Sequence, residues 1–222
     1  MKKRVGAAPT GSWDSIAPLY DAQLWLERSA LGVALDLAAI GPGDRVVDVG
    51  TGTGGLLRAL RRRGGRPDWV LGIDRSAAML DRVPALPEGW RLARADATRI
   101  PLCDGSVDVA LAAFVLHLLG ERKRRRCLRE LRRVVAPGGR IVVVVPAVPA
   151  GRVGSAAYRA AVRLARVVSR PLAATLEPVD LRGEVADAGL RIVATRRSGR
   201  GYPARCLLLM PLADANGGEP RG

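Results

Sequence analysis

The fold class follows from residues 45–55, which read RVVDVGTGTGG. Arg45–Val49 predicts a buried strand because three of its five residues are β-branched valines. The glycines after it are typical of a sharp turn, where the backbone needs unusual angles or lies against a ligand. Leu56–Arg63 then predicts the helix that this turn opens. A buried strand, a glycine-rich turn and a helix in this order are typical of the first unit of a ligand-binding α/β sheet.

The same alternation of strand and helix continues along the chain. Apolar runs predict four further buried strands, at Trp69–Asp74, Trp90–Ala95, Val107–Phe114 and Ile141–Val145. Helices are predicted between them at Ser76–Arg82 and Glu121–Val135, and Pro137-Gly138-Gly139 is expected to end the second helix. Such alternation is typical of a parallel sheet with helices on both faces.

The alternation weakens after residue 145. Two helices are predicted, at Gly154–Arg170 and Leu181–Ala188, and two strands follow, at Arg191–Thr195 and Cys206–Met210. Because no helix separates these last strands, they are expected to form an antiparallel pair. The predicted fold class is therefore α/β: a Rossmann-like, doubly wound, mostly parallel seven-stranded sheet with an antiparallel edge pair and helices on both faces.

The length of 222 residues fits a single domain, which we place at residues 13–212. Residues 1–12 and 213–222 are polar and rich in glycine, proline or charge, so they are predicted to be disordered. The segment 147–178 departs most from the regular alternation. It is expected to supply contacts to a substrate or to act as a lid.

Composition excludes several classes of protein. Three cysteines and one histidine argue against a disulfide framework and against a zinc site, so no metal is expected. The sequence has no G-x-S-x-G motif of the kind that hydrolases carry. No apolar run approaches the roughly 20 residues that span a bilayer, and no hydrophobic segment follows the basic start at residues 1–4. We therefore expect a cytoplasmic protein.

The formal net charge is +15, which favours contact with nucleic acid or with an anionic membrane. Only three of the basic residues are lysines, and arginine-rich, alanine-rich usage also arises from a GC-rich coding sequence without any partner. Aromatic residues make up only 4% of the chain, and no basic segment with interleaved aromatics is present, so no specific nucleic-acid partner is expected. Peripheral contact with an anionic membrane stays open.

Three aspartates follow or end the predicted parallel strands. Gly50, Gly52 and Gly55 satisfy G-x-G-x-x-G, which would fit NAD, but Asp48 would repel a pyrophosphate held at the following helix. A cofactor with a sulfonium and an ammonium group, and without phosphate, tolerates this carboxylate. Asp74 is placed to accept hydrogen bonds from two ribose hydroxyls, and Asp96 to accept one from the amino group of adenine.

The order and spacing of these residues resemble a known family. The series Asp48-x-Gly50-x-Gly52-x-Gly54, Asp74 and Asp96-Ala97, followed by residues 133–139 (RVVAPGG), is similar to class I S-adenosylmethionine-dependent methyltransferases. Residues 13–21 (WDSIAPLYD) are similar to the opening segment of the branch that contains the ubiquinone/menaquinone biosynthesis C-methyltransferases. The resemblance is strong over residues 13–145 and holds only in outline beyond them.

The resemblance implies S-adenosylmethionine as the cofactor and predicts a set of residues that bind it. The Gly50–Gly54 loop would hold its methionine part, Asp74 its ribose and Met79, Asp96 and Ala97 its adenine. The complete predicted cofactor site consists of Asp48, Gly50, Thr51, Gly52, Gly54, Asp74, Arg75, Met79, Asp96 and Ala97. The reaction would be an in-line methyl transfer, which depends mainly on alignment and a dry site and requires no metal.

Two residues are candidates for the catalytic step. His117 follows the fourth strand at the ligand-binding edge, where its pKa range suits a general base. A histidine there can also cap the next helix or line the pocket without titrating, and this alternative stays open. Tyr20 lies in the segment that resembles the opening of the family, where it either reaches the cofactor or packs as part of a lid.

The methyl acceptor is predicted to be a small molecule. An alternative is a lipid or polyprenylated quinone-like acceptor at a membrane surface; an NAD(P)-dependent oxidoreductase fits less well because no Tyr-x-x-x-Lys pair is present. The basic helix Gly154–Arg170 bears on this point, because Arg159, Arg163, Arg166 and Arg170 share one of its faces. Either this helix covers the fifth strand, or its arginines rest on anionic lipid.

Overall fold

The computed structural model describes residues 17–64, 66–149, 151–168, 176–198 and 202–212. Seven strands form one sheet in the order β3-β2-β1-β4-β5-β7-β6. The pairs among β1 to β5 are parallel, whereas β7 is antiparallel to both β5 and β6. This arrangement confirms the predicted fold class. The structure also shows that β7, the last strand in the chain, is not at the edge of the sheet but lies between β5 and β6.

The strands are β1 (Arg45–Val49), β2 (Trp69–Asp74), β3 (Trp90–Arg94), β4 (Val107–Ala113), β5 (Val135–Pro146), β6 (Leu190–Arg197) and β7 (Ala204–Pro211). The α-helices are α1 (Ala17–Ala38), α2 (Gly55–Arg61), α3 (Ala77–Leu80), α4 (Glu121–Val134), α5 (Arg152–Val168) and α6 (Arg182–Asp187). A 3₁₀ turn at Leu116–Leu118 follows β4. Among the helices so described, none combines the length and the apolar character that a membrane crossing requires.

Two sequence predictions about helix ends are wrong. The helix predicted at Ser76–Arg82 is a single turn, α3, whose N-terminus is capped by the Ser76 hydroxyl accepting the Met79 backbone N–H. Pro137-Gly138-Gly139 does not end α4, because β5 already begins at Val135 and pairs with β4 from that residue. A Cβ at Gly139 would stand 2.8 Å from the Asp108 carbonyl oxygen, so the backbones of β4 and β5 approach too closely there for a side chain.

The sheet is covered on both faces. On one face, α1 and α2 pack through residues such as Leu35 and Leu57; on the other, α4 and α6 pack through residues such as Leu131 and Val185. Strand β5 is covered mainly by α1 and α4. The covering of the fifth strand by the basic helix stays a prediction.

The topology fixes the position of a ligand site. The chain order reverses between β1 and β4, which are neighbours in the sheet although two strands separate them in sequence. Open α/β sheets bind ligands at the carboxyl ends of the strands beside such a reversal. The predicted disordered segments 1–12 and 213–222 lie outside the described residues, as does part of the predicted lid 147–178.

Candidate functional site

A cleft opens at the carboxyl ends of β1 to β4. Its empty space, counted out to the solvent, is about 800 Å³. Seven of the twelve predicted site residues line it: Gly50, Gly52, Asp74, Arg75, Met79, Asp96 and Ala97. The structure therefore brings together residues that are up to 47 positions apart in the chain.

The glycine loop after β1 has a backbone that other residues rarely adopt. Gly50, Gly52 and Gly54 have φ values of 73°, 54° and 81°. A Cβ at Gly50 would stand 2.8 Å from the Cβ of Val115, so the loop and the segment after β4 are in close contact. The backbone N–H groups of Gly50 and Thr51 both donate to the Ile73 carbonyl, which ties the loop to the end of β2.

Asp74 joins three segments around the cleft. One of its carboxylate oxygens accepts the Gly52 backbone N–H at 2.9 Å, and the other accepts the Ser76 backbone N–H at 2.9 Å. Burial raises the pKa of Asp74 above its usual value, although these backbone hydrogen bonds act against the rise. Because a carboxylate oxygen has two lone pairs, both oxygens can still accept hydrogen bonds from a ligand.

Asp48 lies beneath the loop and does not line the cleft. Its side chain is 1% exposed and accepts a hydrogen bond from the Thr51 hydroxyl at 2.7 Å. Burial raises the pKa of Asp48 to about 7; the Thr51 hydrogen bond lowers it, and the negative charge of Asp74 raises it further. The two carboxylates therefore repel each other, and a cation near the loop would relieve that repulsion.

Asp96 lines the cleft at the end of β3, next to the end of β2. Burial pushes the pKa of Asp96 upward, but hydrogen bonds from Thr98 and the positive charges of Lys123 and Arg75 outweigh this, so the pKa lies below its usual value. Asp96 is thus ionised at neutral pH and accepts hydrogen bonds from any donor in the cleft. Met79 and Ala97 supply apolar surface beside it.

The segment after β4 carries the predicted catalytic histidine. Phe114 has a φ of 55°, which is rare for a residue with a large side chain and is a form of strain that is common at functional sites. Its ring contacts both His117 and Tyr202 edge to face, with ring centroids 6.3 Å and 5.5 Å apart. His117 itself stands in the 3₁₀ turn, next to the cleft residue Leu118, and does not line the cleft.

Four further predicted residues have different positions. Asp48 and Thr51 are buried behind the loop. Gly54 precedes α2, and a Cβ there would stand 2.9 Å from a methyl carbon of Val83, away from the cleft. The backbone of Tyr20 belongs to α1, but its side chain lies outside what the structure describes.

The sequence prediction missed six residues that line the cleft: Ser76, Ala95, Val115, Leu118, Leu119 and Lys123. Ser76 carries a usable signal, because a serine two residues after a strand-end aspartate is a common helix N-cap. The others are apolar or flexible side chains that only the tertiary fold brings to the cleft. Among the described residues, no group of three histidine, cysteine or acidic side chains is arranged to hold a metal ion.

Comparisons with known proteins agree with this geometry. Residues 46–139 match the family model of a methyltransferase domain. The chain is 34% identical over 150 residues to 2-phytyl-1,4-naphthoquinone methyltransferase of Synechococcus elongatus, covering 62% of this chain and 63% of that protein. It is 35% identical over 156 residues to demethylmenaquinone methyltransferase of Thermus thermophilus, covering 64% of this chain and 68% of that protein. It therefore spans slightly less than two thirds of the first relative's length.

The fold also matches solved structures. A methyltransferase from Aquifex aeolicus, described as dependent on S-adenosylmethionine, superposes with a TM-score of 0.65 over 90% of this chain and 98% of the other, at 20% identity. Together with the sequence matches, this places the chain in the class I S-adenosylmethionine-dependent methyltransferases. Within that class, the chain belongs to the branch of the ubiquinone/menaquinone biosynthesis C-methyltransferases, as the sequence resemblance predicts.

Proposed function

We propose that this protein transfers a methyl group from S-adenosylmethionine to a small molecule with a quinone-type ring. The observation that carries the proposal is the cleft itself. Asp96 is ionised and follows β3, and Asp74 ends the neighbouring strand β2, where each of its carboxylate oxygens accepts a backbone N–H. The glycine loop follows β1 beside them, and a buried carboxylate, Asp48, lies beneath that loop. In this arrangement, negatively charged carboxylates can accept hydrogen bonds from the hydroxyl and amino groups of a ligand. The site therefore favours binding of a cationic ligand that has no phosphate.

S-adenosylmethionine fits the residues present. Asp74 would accept the two ribose hydroxyls, and Asp96 with Ala97 would contact the adenine edge, with Met79 against its ring. The backbone at Gly50 and Gly52 has no side chain to keep the methionine part away. The repulsion between Asp48 and Asp74 supports the same assignment, because the cofactor carries a positive charge that would relieve it.

When bound, S-adenosylmethionine supplies a methyl group carried on a positively charged sulfur. The chain contributes alignment and exclusion of water, which are the main requirements for an already activated donor. Val115, Leu118 and Leu119 provide the apolar wall on the side of β4. Methyl transfer to a ring carbon also requires that the acceptor lose a proton.

His117 is the residue that we propose accepts this proton from the acceptor. It stands in the 3₁₀ turn after β4, and its ring contacts Phe114 edge to face. The backbone of Phe114 is fixed by a hydrogen bond from its N–H to the Val144 carbonyl. The imidazole would accept a proton from a ring hydroxyl or from the ring carbon, because its ordinary pKa lies near neutrality. Tyr20 stays a prediction for a second contact on the acceptor side.

The acceptor class rests on the relatives. The Synechococcus relative is named for 2-phytyl-1,4-naphthoquinone, and the Thermus relative for demethylmenaquinone. We extend their shared chemistry, a reduced naphthoquinone ring, to this chain. Segment 147–178 is proposed to complete the acceptor site, because it follows β5 at the same sheet edge as the cleft.

The location predicted from the sequence, the cytoplasm, is also part of this proposal, and cell fractionation tests it.

The experiment is a transfer assay with methyl-labelled S-adenosylmethionine. Purified protein is incubated with a reduced 1,4-naphthoquinone, and in parallel with a catechol and an amine as competing acceptor types. Label is expected in the naphthoquinone product, at an unchanged rate after exhaustive chelation of metals. Transfer only to the catechol or the amine would overturn the quinone assignment, and a rate that falls on chelation and returns with magnesium would overturn the metal-free mechanism.

A further inference from the structure

Helix α5 carries positive charge without any acidic side chain to balance it. Its sequence, RVGSAAYRAAVRLARVV, contains four arginines and no acidic residue in 17 positions. Arg159 and Arg163 are exposed, and neither forms a salt bridge within the part of the chain that the structure describes. The side chain of Arg166 and the whole of Arg170 lie outside the described residues.

The two faces of α5 differ in a way that indicates an external partner. Val162 is buried, and the hydroxyl of Tyr158 donates to the Leu176 carbonyl, so these residues mark the inward face. At about 100° per residue, Arg159 lies about 80° and Arg163 about 120° from the middle of that inward face, and Ala156, Ala160 and Leu164 continue the outward face beside them. All five of these residues are exposed, and Leu164 retains 65% of its accessible surface.

The outward face combines an exposed leucine and two exposed alanines with two arginines. This combination suits contact with the water–lipid interface better than contact with other surfaces. An amphipathic helix binds there with its apolar residues below the headgroups and its basic residues among them. Nucleic acid would use the arginines but has no role for the adjoining leucine and alanines. We propose that the outward face of α5, formed by Ala156, Arg159, Ala160, Arg163 and Leu164, docks on an anionic lipid bilayer.

The position of α5 in the fold gives this contact a direction. Strand β5 is parallel to β4, so its last residue, Pro146, lies at the sheet edge where the cleft opens, and α5 begins six residues later. Docking through α5 would therefore bring that edge of the sheet to the membrane. The net charge of +15 would add a general attraction to the same surface.

The test is co-sedimentation of the full chain with phosphatidylcholine vesicles that contain increasing phosphatidylglycerol. Binding is expected to rise with phosphatidylglycerol and to fall at high salt, because salt screens exposed charge. R159Q/R163Q should weaken binding about thirty-fold, which corresponds to about 1 kcal/mol for each arginine. Leu164→Asn, which changes no charge, should weaken binding about tenfold.

A charge-matched control separates the helix from the net charge. R91Q/R129Q removes the same two charges from β3 and α4, where both residues are exposed, and it should leave vesicle binding within about twofold of the wild type. Unchanged affinity for S-adenosylhomocysteine in every variant will show that each one is folded. The proposal is overturned if the wild type does not bind, or if the control loses as much binding as R159Q/R163Q. It is also overturned if Leu164→Asn binds vesicles as well as the wild type. If R159Q/R163Q loses binding to duplex DNA but keeps its binding to vesicles, the partner of this face is nucleic acid instead.

Discussion

The glycine loop and helix α5 both follow the carboxyl ends of parallel strands, but different contacts hold them in place. The loop is fixed by main-chain hydrogen bonds to Ile73 and Asp74, and by left-handed glycines that leave no room for side chains. Helix α5 is joined to the rest of the fold by side chains such as Tyr158, whose hydroxyl donates to the Leu176 carbonyl, and its outward face is exposed. The difference separates a loop whose backbone is fixed by hydrogen bonds from a helix in the segment that we propose completes the acceptor site.

This difference has a functional consequence. A common cofactor requires the same backbone geometry whatever the acceptor, so the loop tolerates little change. The proposed acceptor segment carries exposed side chains on the outward face of α5, where substitutions cost the core little. Substitutions at the loop should therefore affect stability and cofactor affinity together, whereas substitutions on the outward face of α5 should affect neither.

The largest expected effect on stability is that of Gly50→Ala. The left-handed backbone costs about 1–2 kcal/mol for a residue with a Cβ, and the contact with Val115 raises the loss in free energy of unfolding to about 2–5 kcal/mol. Gly138→Ala is the control, because Gly138 is also left-handed, with a φ of 79°, but a Cβ there meets open space. It should cost only about 1 kcal/mol and leave cofactor affinity unchanged. Urea unfolding and calorimetry measure both; equal losses in the two variants would contradict close packing of the loop.

His117→Ala should reduce turnover about a hundredfold while leaving the affinity for S-adenosylhomocysteine within about twofold. The reason is that His117 stands beside the cleft on the side of β4 and does not line it. Single-turnover rates and calorimetry separate the two quantities. A variant that loses cofactor affinity but keeps its rate per bound cofactor would show that His117 is on the cofactor side.

Asp74→Ala should weaken S-adenosylhomocysteine binding by about 1.5–3 kcal/mol, because a charged acceptor for two hydroxyls is lost. Asp44→Ala is the matched control. The Asp44 carboxylate accepts the Gly41 N–H and pairs with Arg140 before β1, at the end of the sheet away from the cleft. It should lower stability without changing affinity. Unchanged affinity in Asp74→Ala would remove Asp74 from the cofactor site.

Asp48→Asn should make stability less dependent on pH. Because the pKa of Asp48 is raised to about 7 in the folded protein, from an ordinary value near 4, the folded state binds a proton more tightly than the unfolded state. The stability from this group is full below pH 4 and is lost as pH rises through 7. The wild type should therefore lose on the order of 1–2 kcal/mol between pH 5.5 and pH 8, and Asp48→Asn should lose less. Urea unfolding at both pH values checks this, and parallel slopes would argue that Asp48 is ionised throughout.

The sequence predicts the glycine loop and the strand-end aspartates of the cleft for a physical reason. Left-handed turns require glycine, and strand-end carboxylates are needed at fixed places, so Gly50, Gly52, Asp74 and Asp96 are visible as a pattern. Val115, Leu119 and Lys123 reach the same cleft only through the packing of α4 and the 3₁₀ turn, and no local rule predicts this. The early start of β5 was missed for a similar reason, because Val135 joins the sheet only by pairing with Val107 of β4.

The central claim is that the cleft binds S-adenosylmethionine and not a dinucleotide. Calorimetry of the purified protein with S-adenosylmethionine, S-adenosylhomocysteine and NAD in parallel tests it directly. We expect S-adenosylhomocysteine to bind with micromolar-range affinity, about 7–8 kcal/mol, and NAD to give no binding heat up to millimolar concentration, because Asp48 and Asp74 repel its pyrophosphate. Binding of NAD in the micromolar range, with none for S-adenosylhomocysteine, would contradict the account.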